Sequence, residues 1–201
     1  MKLYYAAQTR ATRPRWLLEE MGVPYSLMRL DMSKKEHKAP EYMAIHPHGQ
    51  VPALVDGDLA LFESAAICAY LADKFPEKNM APAVGTPERG LYYQWLMYSM
   101  ATLEPPIVQV IMHTMMLPEA QRSATQAEEG RKNFTQVAQV LETVLRGKRF
   151  IVGDRFSVAD IMIGSTLSWA QMLGMLGGHP ILEAYVGSLA TRPAFQRAHA
   201  D

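Results

Sequence analysis

The feature that most constrains the fold is a proline at the start of a short apolar strand, within the stretch GQVPALVDGDLALFESAAICAY at residues 49–70. Pro52 has no N–H to donate to a sheet, although the Ala-Leu-Val that follows it reads as a buried strand. An Asp-Gly turn then leads to a second strand, LALF, and Glu63-Ser64 opens a helix. A proline in this place predicts that the backbone turns away from the sheet to meet a ligand.

The first 80 residues alternate strands and helices. KLYYAA is a strand, RPRWLLEEM is a helix with Gly22 and Pro24 as stop signals, and YSLMRLDM is a second strand. A polar loop, SKKEHKAPEYMAIHPHG, has room for one helical turn before the hairpin. A helix from Ser64 to Phe75 ends at Pro76. The order β-α-β-loop-β-β-α predicts a mixed sheet with helices packed on it.

The pattern changes after Pro76. EKNMAPAVGTPERG has no periodicity and is rich in Pro and Gly, as a linker would be, and only helical periods follow it. We therefore predict an α/β domain over residues 1–78, a linker over 79–86 and an all-α domain over 87–201.

Three helical segments stand out in the second half. The first is long and is interrupted by Pro105-Pro106, which predicts a bend. The second runs through TQAEEGRKNFTQVAQVLETVL and is broken by Gly147. The third begins with a capping box, in which Ser157 and Asp160 each bond the other's backbone N–H.

Composition excludes several classes of protein. Lys+Arg and Asp+Glu are equal at 20 each, which argues against a nucleic-acid binder. The one cysteine, Cys68, excludes an internal disulfide and a Cys-x-x-Cys pair, and His46 and His48 lack further ligands at metal spacing. With no 18-residue apolar run and no signal-peptide pattern in MKLYYAAQTR, we expect a cytoplasmic protein that binds neither membrane nor metal.

The stretch around Pro52 predicts a peptide-like ligand. A proline before an internal strand can take the cis peptide, found in about 5–6% of X-Pro bonds, and would turn the Val51 N–H and C=O out of the sheet. Those groups could bind an extended peptide. Glu63-Ser64 adds a carboxylate for an ammonium, and a hydroxyl and helix N–H groups for a carboxylate. Together they suit an amino-acid-like end on a peptide.

Four motifs then stand in order along the chain: Trp16-Leu17-Leu18-Glu19-Glu20, Val51-Pro52-Ala53-Leu54, Glu63-Ser64-Ala65-Ala66-Ile67, and Gly153-Asp154-Arg155-Phe156-Ser157-Val158-Ala159-Asp160. In sequence and spacing they resemble the cytosolic glutathione transferases, over Met1 to about Pro193. The resemblance implies a thioredoxin-like N-terminal domain, an α-helical C-terminal domain, a homodimer and a glutathione site in each subunit.

The resemblance also implies roles for single residues in binding glutathione. Glu63 and Ser64 would hold the γ-glutamyl group, and Val51, before Pro52, would hold the cysteinyl backbone. The remaining candidates are Gln50, beside that backbone or near the γ-glutamyl carboxylate, and His37 for the glycyl carboxylate, with Lys35 as its competitor.

The sequence departs from the family where the thiol is activated. Free thiols have a pKa near 8.5, so a donor or cation must stabilise the thiolate at neutral pH. Against the bacterial cysteine class, or beta class, Arg10 stands at the Cys position, and Ala11 follows where serine is common. Thr9-Arg10-Ala11-Thr12 looks most like the chi-type pattern. We expect Arg10 or Thr9 to act on the thiol, assisted by the N–H groups of Ala11 and Thr12, with Tyr5 as a competitor.

The leading prediction is conjugation of glutathione to small hydrophobic electrophiles. Candidate electrophile contacts are Ala7, Gln8, Met100, Glu104, His113 and Trp169. A glutathione-binding regulatory or structural module with little catalysis is the alternative, as is a glutathione-dependent peroxidase or isomerase. Common classes of the family activate the thiol with a Tyr, Ser or Cys at the end of the first strand or the start of the first helix. The absence of such a residue from Thr9-Arg10-Ala11-Thr12 favours the binding module.

Overall fold

The protein is described by a computed structural model over residues 1–200, which form two compact units. The first unit comprises Met1–Ala81 and the C-terminal segment from Ala190, and the second is Pro82–Leu189. The helical domain predicted over residues 87–201 therefore differs from the structure at its C-terminal segment, which lies in the first unit.

The first unit has a four-stranded mixed sheet with helices packed on it, as predicted. Its strands are β1 (Lys2–Tyr5), β2 (Ser26–Arg29), β3 (Ala53–Asp56) and β4 (Leu59–Phe62), and its first helices are α1 (Thr12–Met21), α2 (Pro40–Met43) and α3 (Ser64–Lys74). The strand order is β2-β1-β3-β4, with β1 parallel to β2 and β3 antiparallel to both of its neighbours. This is the thioredoxin-like arrangement expected from the sequence.

Local signals in this unit fold as the sequence predicts. Gly22 ends α1 in the left-handed region, at φ +62°, and donates its N–H to the Leu18 carbonyl at 3.0 Å. Asp56 pairs with Leu59, so the hairpin between β3 and β4 turns through two residues, of which Gly57 has φ +61°. The β1 strand is shorter than predicted, because the chain leaves the sheet after Tyr5.

The C-terminal segment is held to α1 by two arginine–glutamate pairs. Arg192 contacts both carboxylate oxygens of Glu20, at 2.5 and 2.8 Å, and Arg197 Nε lies 2.7 Å from Glu19 Oε2. These pairs bring α9 (Pro193–Ala198) against α1. The partners are more than 170 residues apart, so local periodicity assigned the segment to the helical domain instead.

The second unit is built of helices. They are α4 (Pro87–Tyr98), α5 (Glu104–Ile111), α6 (Ala124–Leu145), α7 (Val158–Met172) and α8 (Pro180–Ala190), whose last residue is assigned to the first unit. Five-residue π-helical turns, Ser99–Leu103 and Met112–Met116, flank α5. The π-helical turn Ser99–Leu103 directly precedes Pro105 and Pro106, which have no N–H to donate to carbonyls of that turn, so the predicted interruption lies just before the two prolines.

The capping box at the start of α7 is present, as predicted. Asp160 is fully buried, and its carboxylate accepts the backbone N–H of Ser157 at 2.9 Å and that of Ile151 at 2.8 Å. The hydroxyl of Tyr185 donates to the same carboxylate at 2.8 Å. One side chain thus ties the start of α7 to the loop before it and to α8.

We expect Asp160→Ala to lower the free energy of unfolding by on the order of 3 kcal/mol, because it leaves buried donors without an acceptor. Ser157→Ala removes the cap and the longer 3.3 Å bond from the Ser157 hydroxyl to Asp160 but leaves the backbone donors of Asp160 paired, so it should cost on the order of 1 kcal/mol. Ser123→Ala is the matched control, since Ser123 caps the more exposed start of α6 through the Gln126 N–H at 3.3 Å. Urea denaturation followed by circular dichroism measures all three, and equal losses for Asp160→Ala and Ser123→Ala would contradict the role of Asp160.

Candidate functional site

The ladders that β3 forms with its two neighbours end at the same residue. Ala53 pairs with Tyr4 of β1 and with Phe62 of β4. The loop to α1 begins at Ala6, two residues after Tyr4, and α3 begins at Ser64, two residues after Phe62. Val51 precedes Ala53 by two residues, so the predicted backbone-binding residue lies just outside the end of these ladders.

The backbone of Val51 is not used by the sheet. The Val51–Pro52 peptide bond is cis, which confirms the prediction. Within residues 1–200, neither the N–H nor the C=O of the half-buried Val51 forms a hydrogen bond. The preceding carbonyl, that of Gln50, accepts the hydroxyl of Tyr42. Val51 can therefore offer both backbone groups to an extended ligand.

The start of α3 is left open for an anion. Ser64 is 2% exposed, whereas Glu63 is exposed and has φ +73°, a conformation that costs a non-glycine residue about 1–3 kcal/mol and that is enriched at functional sites. No side chain caps α3, whereas Thr86, Ser123 and Ser157 cap α4, α6 and α7. The first N–H groups of α3 remain available as donors to a carboxylate.

Arg13 is a site residue that the sequence analysis missed. It is 1% exposed, and its Nη1 donates to Ser64 Oγ at 3.2 Å, so that α1 reaches the start of α3. Its spacing from Trp16 and Leu17, both fully buried, places Arg13 on the inner face of α1. That spacing was a usable signal, because an arginine on a buried face needs polar partners.

Cys68 lies one turn further along α3 and is not a nucleophile. Complete burial raises the pKa of its thiol to about 12, against the opposing effect of the Arg13 guanidinium. The thiol therefore stays protonated at neutral pH.

The loop before α1 uses its own donors. The Thr9 hydroxyl donates its only proton to the Ala6 carbonyl at 2.7 Å and accepts the Ala11 N–H at 3.2 Å. The Thr9 carbonyl accepts the Thr12 N–H at 3.1 Å. Thr9, Ala11 and Thr12 are thus engaged inside the loop, and the half-buried Arg10 is the predicted thiol-activating residue that can act through its charge.

A close backbone approach positions the His37 loop. Gly49 has φ +54°, and a Cβ at this position would collide with the carbonyl oxygen of His37. The half-buried His37 is thereby held next to the segment that enters β3, while Lys35 and Gln50 are exposed nearby in sequence. Both basic residues stay candidates for a ligand carboxylate.

The predicted electrophile contacts fall in both units. Ala7 and Gln8, in the first unit, belong to the loop before α1, and Gln8 has φ +57°.

The other four lie in the helical unit, in the segments 99–103, 104–116 and 158–172. Ser99 Oγ, next to Met100, lies 3.0 Å from Thr166 Oγ1, one turn before Trp169, so these two segments pack together. Glu104 is buried at the start of α5. His113 lies nine residues further along, roughly 13 Å at 1.5 Å per residue, and its Nδ1 accepts the Ser123 N–H at 3.3 Å.

Within residues 1–200, no group of three or more His, Cys, Asp or Glu side chains could hold a metal ion. No helix of that range has both the length and the apolar character needed to cross a bilayer.

Comparison with known families gives two matches. Residues 1–73 match the glutathione S-transferase N-terminal domain, and residues 103–193 match the glutathione S-transferase C-terminal domain. The chain is 35% identical over 206 residues to a probable glutathione S-transferase, GSTF2, of Oryza sativa, with 98% of this chain and 94% of the relative covered. It is 30% identical over 202 residues to glutathione S-transferase GstA of Escherichia coli O157:H7, covering 98% and 96%.

Solved structures agree with this. A sphingomonad glutathione S-transferase complexed with glutathione superposes with a TM-score of 0.88 at 27% identity, covering 100% of this chain and 98% of that one. Glutathione transferase URE2P6 of Phanerochaete chrysosporium, in complex with oxidized glutathione, gives a TM-score of 0.89 at 29% identity, covering 98% and 93%.

Proposed function

The chain belongs to the glutathione S-transferase family and is a transferase, and from that premise we propose that it conjugates the thiolate of glutathione to small hydrophobic electrophiles. The observation that carries the proposal is the backbone of Val51, whose N–H and C=O are left unused within residues 1–200, together with an uncapped helix that starts at Ser64. The glutathione-bound neighbours support glutathione as the co-substrate.

In this proposal glutathione lies along the sheet end as an extended peptide. The cysteinyl backbone bonds the N–H and C=O of Val51, which Pro52 holds outside the ladder. The γ-glutamyl carboxylate receives the Ser64 hydroxyl and the first N–H groups of α3. The γ-glutamyl ammonium pairs with Glu63, whose carboxylate is exposed beside it. Gln50 flanks this arrangement on the solvent side.

The glycyl carboxylate is assigned to the His37 loop. His37 is the first candidate because Gly49 holds its backbone against the segment that leads to Val51. Lys35 is the alternative, an exposed cation two residues earlier in the chain.

Arg10 supplies the positive charge that stabilises the thiolate, while Thr9 shapes the loop that carries it. A cation beside a thiol lowers its pKa from near 8.5 towards neutrality. The loop Thr9-Arg10-Ala11-Thr12 supports a bacterial chi-like or beta-like class of glutathione transferase. In this proposal the small hydrophobic electrophile contacts the six residues predicted from the sequence, which are Ala7, Gln8, Met100, Glu104, His113 and Trp169.

A second candidate, a glutathione-binding module with little catalysis, is favoured by the same loop. The Thr9 proton and the N–H groups of Ala11 and Thr12 already have acceptors, which leaves fewer donors for a thiolate. Titration of glutathione by calorimetry beside a spectrophotometric assay with 1-chloro-2,4-dinitrobenzene separates the two. We expect saturable binding and turnover. Binding without turnover would support the module, and absence of binding would overturn both.

Arg10→Ala should raise the thiol pKa of bound glutathione by roughly one unit, because it removes a charge acting through an effective dielectric well above that of dry protein. Turnover at neutral pH should fall about tenfold and partly recover at higher pH, since one pKa unit is a tenfold change in thiolate. Thiolate absorbance against pH measures the shift, and Arg10→Lys, which keeps the charge, is the matched control.

Thr9→Val separates the two loop residues. Because the Thr9 hydroxyl donates to Ala6, we expect Thr9→Val to loosen the loop and lower turnover with little change in the thiol pKa. If Arg10→Ala leaves the pKa unchanged while Thr9→Val raises it, Thr9 is the thiol donor and the role given to Arg10 is wrong.

We also propose a cytoplasmic homodimer, on the family resemblance. Light scattering at micromolar concentration should give twice the chain mass of 22.5 kDa. A mass equal to that of one chain would contradict the dimer while leaving the glutathione site unaffected.

A further inference from the structure

Arg13 and Ser64 meet behind the proposed glutathione site, although 51 positions separate them in sequence. We propose that Arg13 is a positioning residue, which orients the Ser64 hydroxyl towards the γ-glutamyl carboxylate and makes the site selective for ligands that carry it. This inference rests on the proposed function and adds to it the residue that determines specificity at one end of glutathione.

The hydrogen bond between Arg13 and Ser64 can run in one direction only. A guanidinium can only donate, so in the 3.2 Å bond from Arg13 Nη1 the Ser64 oxygen is the acceptor. The single proton of the Ser64 hydroxyl is therefore available to another acceptor. The uncapped N–H groups of α3 begin at the same residue. A carboxylate, which offers acceptors alone, matches this set of donors.

Arg13 also places a buried positive charge near the start of α3. A guanidinium is always protonated in proteins, and at 1% exposure its field is poorly screened by solvent. The field reaches α3, since it opposes the rise that burial gives to the pKa of Cys68 one turn further on. An anion at the start of α3 therefore meets a buried positive charge behind Ser64 as well as the helix dipole.

Glu63, the residue before Ser64, provides a negative charge, opposite in sign to the charge of Arg13. It is exposed, whereas Ser64 and Arg13 are buried, so the ammonium and the carboxylate of one amino-acid end would be read by different groups. The two contributions can then be tested separately, by ligands that lack one group or the other.

The experiment compares glutathione with 4-aminobutyryl-Cys-Gly, which lacks the α-carboxylate, and with glutaryl-Cys-Gly, which lacks the amino group. The carboxylate ratio is the calorimetric Kd of 4-aminobutyryl-Cys-Gly divided by that of glutathione. The amino-group ratio is the Kd of glutaryl-Cys-Gly divided by that of glutathione. In the unmodified protein we expect each deletion to weaken binding by about tenfold or more, as for charge-assisted hydrogen bonds.

Arg13→Lys keeps the charge but replaces the planar fork by a single flexible ammonium. The carboxylate ratio should fall by about fivefold, a loss comparable to one typical intramolecular hydrogen bond, while the amino-group ratio stays within about twofold. Arg15→Lys on the same helix is the matched control, because the Arg15 guanidinium bonds the Arg197 carbonyl instead of Ser64 and should leave both ratios unchanged. A fall of both ratios together in Arg13→Lys would indicate a general structural role and overturn the proposal.

A double-mutant cycle tests whether Arg13 acts through Ser64. In a Ser64→Ala background, Arg13→Lys should change the carboxylate ratio by less than about twofold, since contacting residues that work as a unit are not additive. An equal effect of Arg13→Lys in both backgrounds overturns the proposal.

If Arg13→Lys does not fold, as judged by circular dichroism, the proposal is tested with Arg13 retained, by comparing the melting temperatures of Ser64→Asp and Ser64→Asn. A carboxylate beside the buried guanidinium has a lowered pKa in the folded state, so its stabilisation is fully present above the unfolded value of about 3.9 and is lost as the pH falls through the lowered folded-state value. Ser64→Asp should therefore melt above Ser64→Asn at pH 7, and the difference should shrink as the pH falls below about 3.9. Equal melting temperatures at pH 7 overturn the proposal. Failure of the unmodified protein to bind glutathione overturns the proposed function as well, whereas binding with an unchanged ratio in Arg13→Lys overturns the role of Arg13 alone.

Discussion

The candidate site depends on the antiparallel pairing of β3 with both of its neighbours. Because β3 lies between β1 and β4, its ladders to both strands end together at Ala53, which pairs with Tyr4 and Phe62. Pro52 has no N–H to extend either ladder, so the pairing stops just after Val51. A shift of one residue would turn the wrong side chains inward and separate the loop before α1 from the start of α3.

The orientation of α1 is then fixed from two sides. On its inner face, Arg13 bonds the first residue of α3. On another side, Glu20 accepts the indole N–H of Trp16 at 2.9 Å and the guanidinium of Arg192, while Glu19 pairs with Arg197. Since the loop with Arg10 leads directly into this helix, its geometry is set by contacts distant in sequence. The hydrogen bonds within the loop use the Thr9 hydroxyl proton and the N–H groups of Ala11 and Thr12 as donors.

Much of the fold could be predicted because the signals were local. The Asp-Gly turn between β3 and β4, the end of α1 at Gly22 and the capping box of Ser157 and Asp160 each depend on residues within a few positions of one another. The Val51–Pro52 cis bond belongs to the same group, since the proline itself permits it. The predicted ends of the strands were less accurate, because an apolar stretch such as KLYYAA does not encode where pairing stops.

The sequence alone determined the order of the elements, the resemblance to glutathione transferases and the residues around Pro52. Tertiary structure alone decided that Arg13 lies behind Ser64 and that the segment from Ala190 belongs with the first unit. The physical reason is that turns and caps close over a few residues through backbone geometry. A bond between side chains on different elements depends on sheet register and on how each helix is rotated, and both are set only when the core packs.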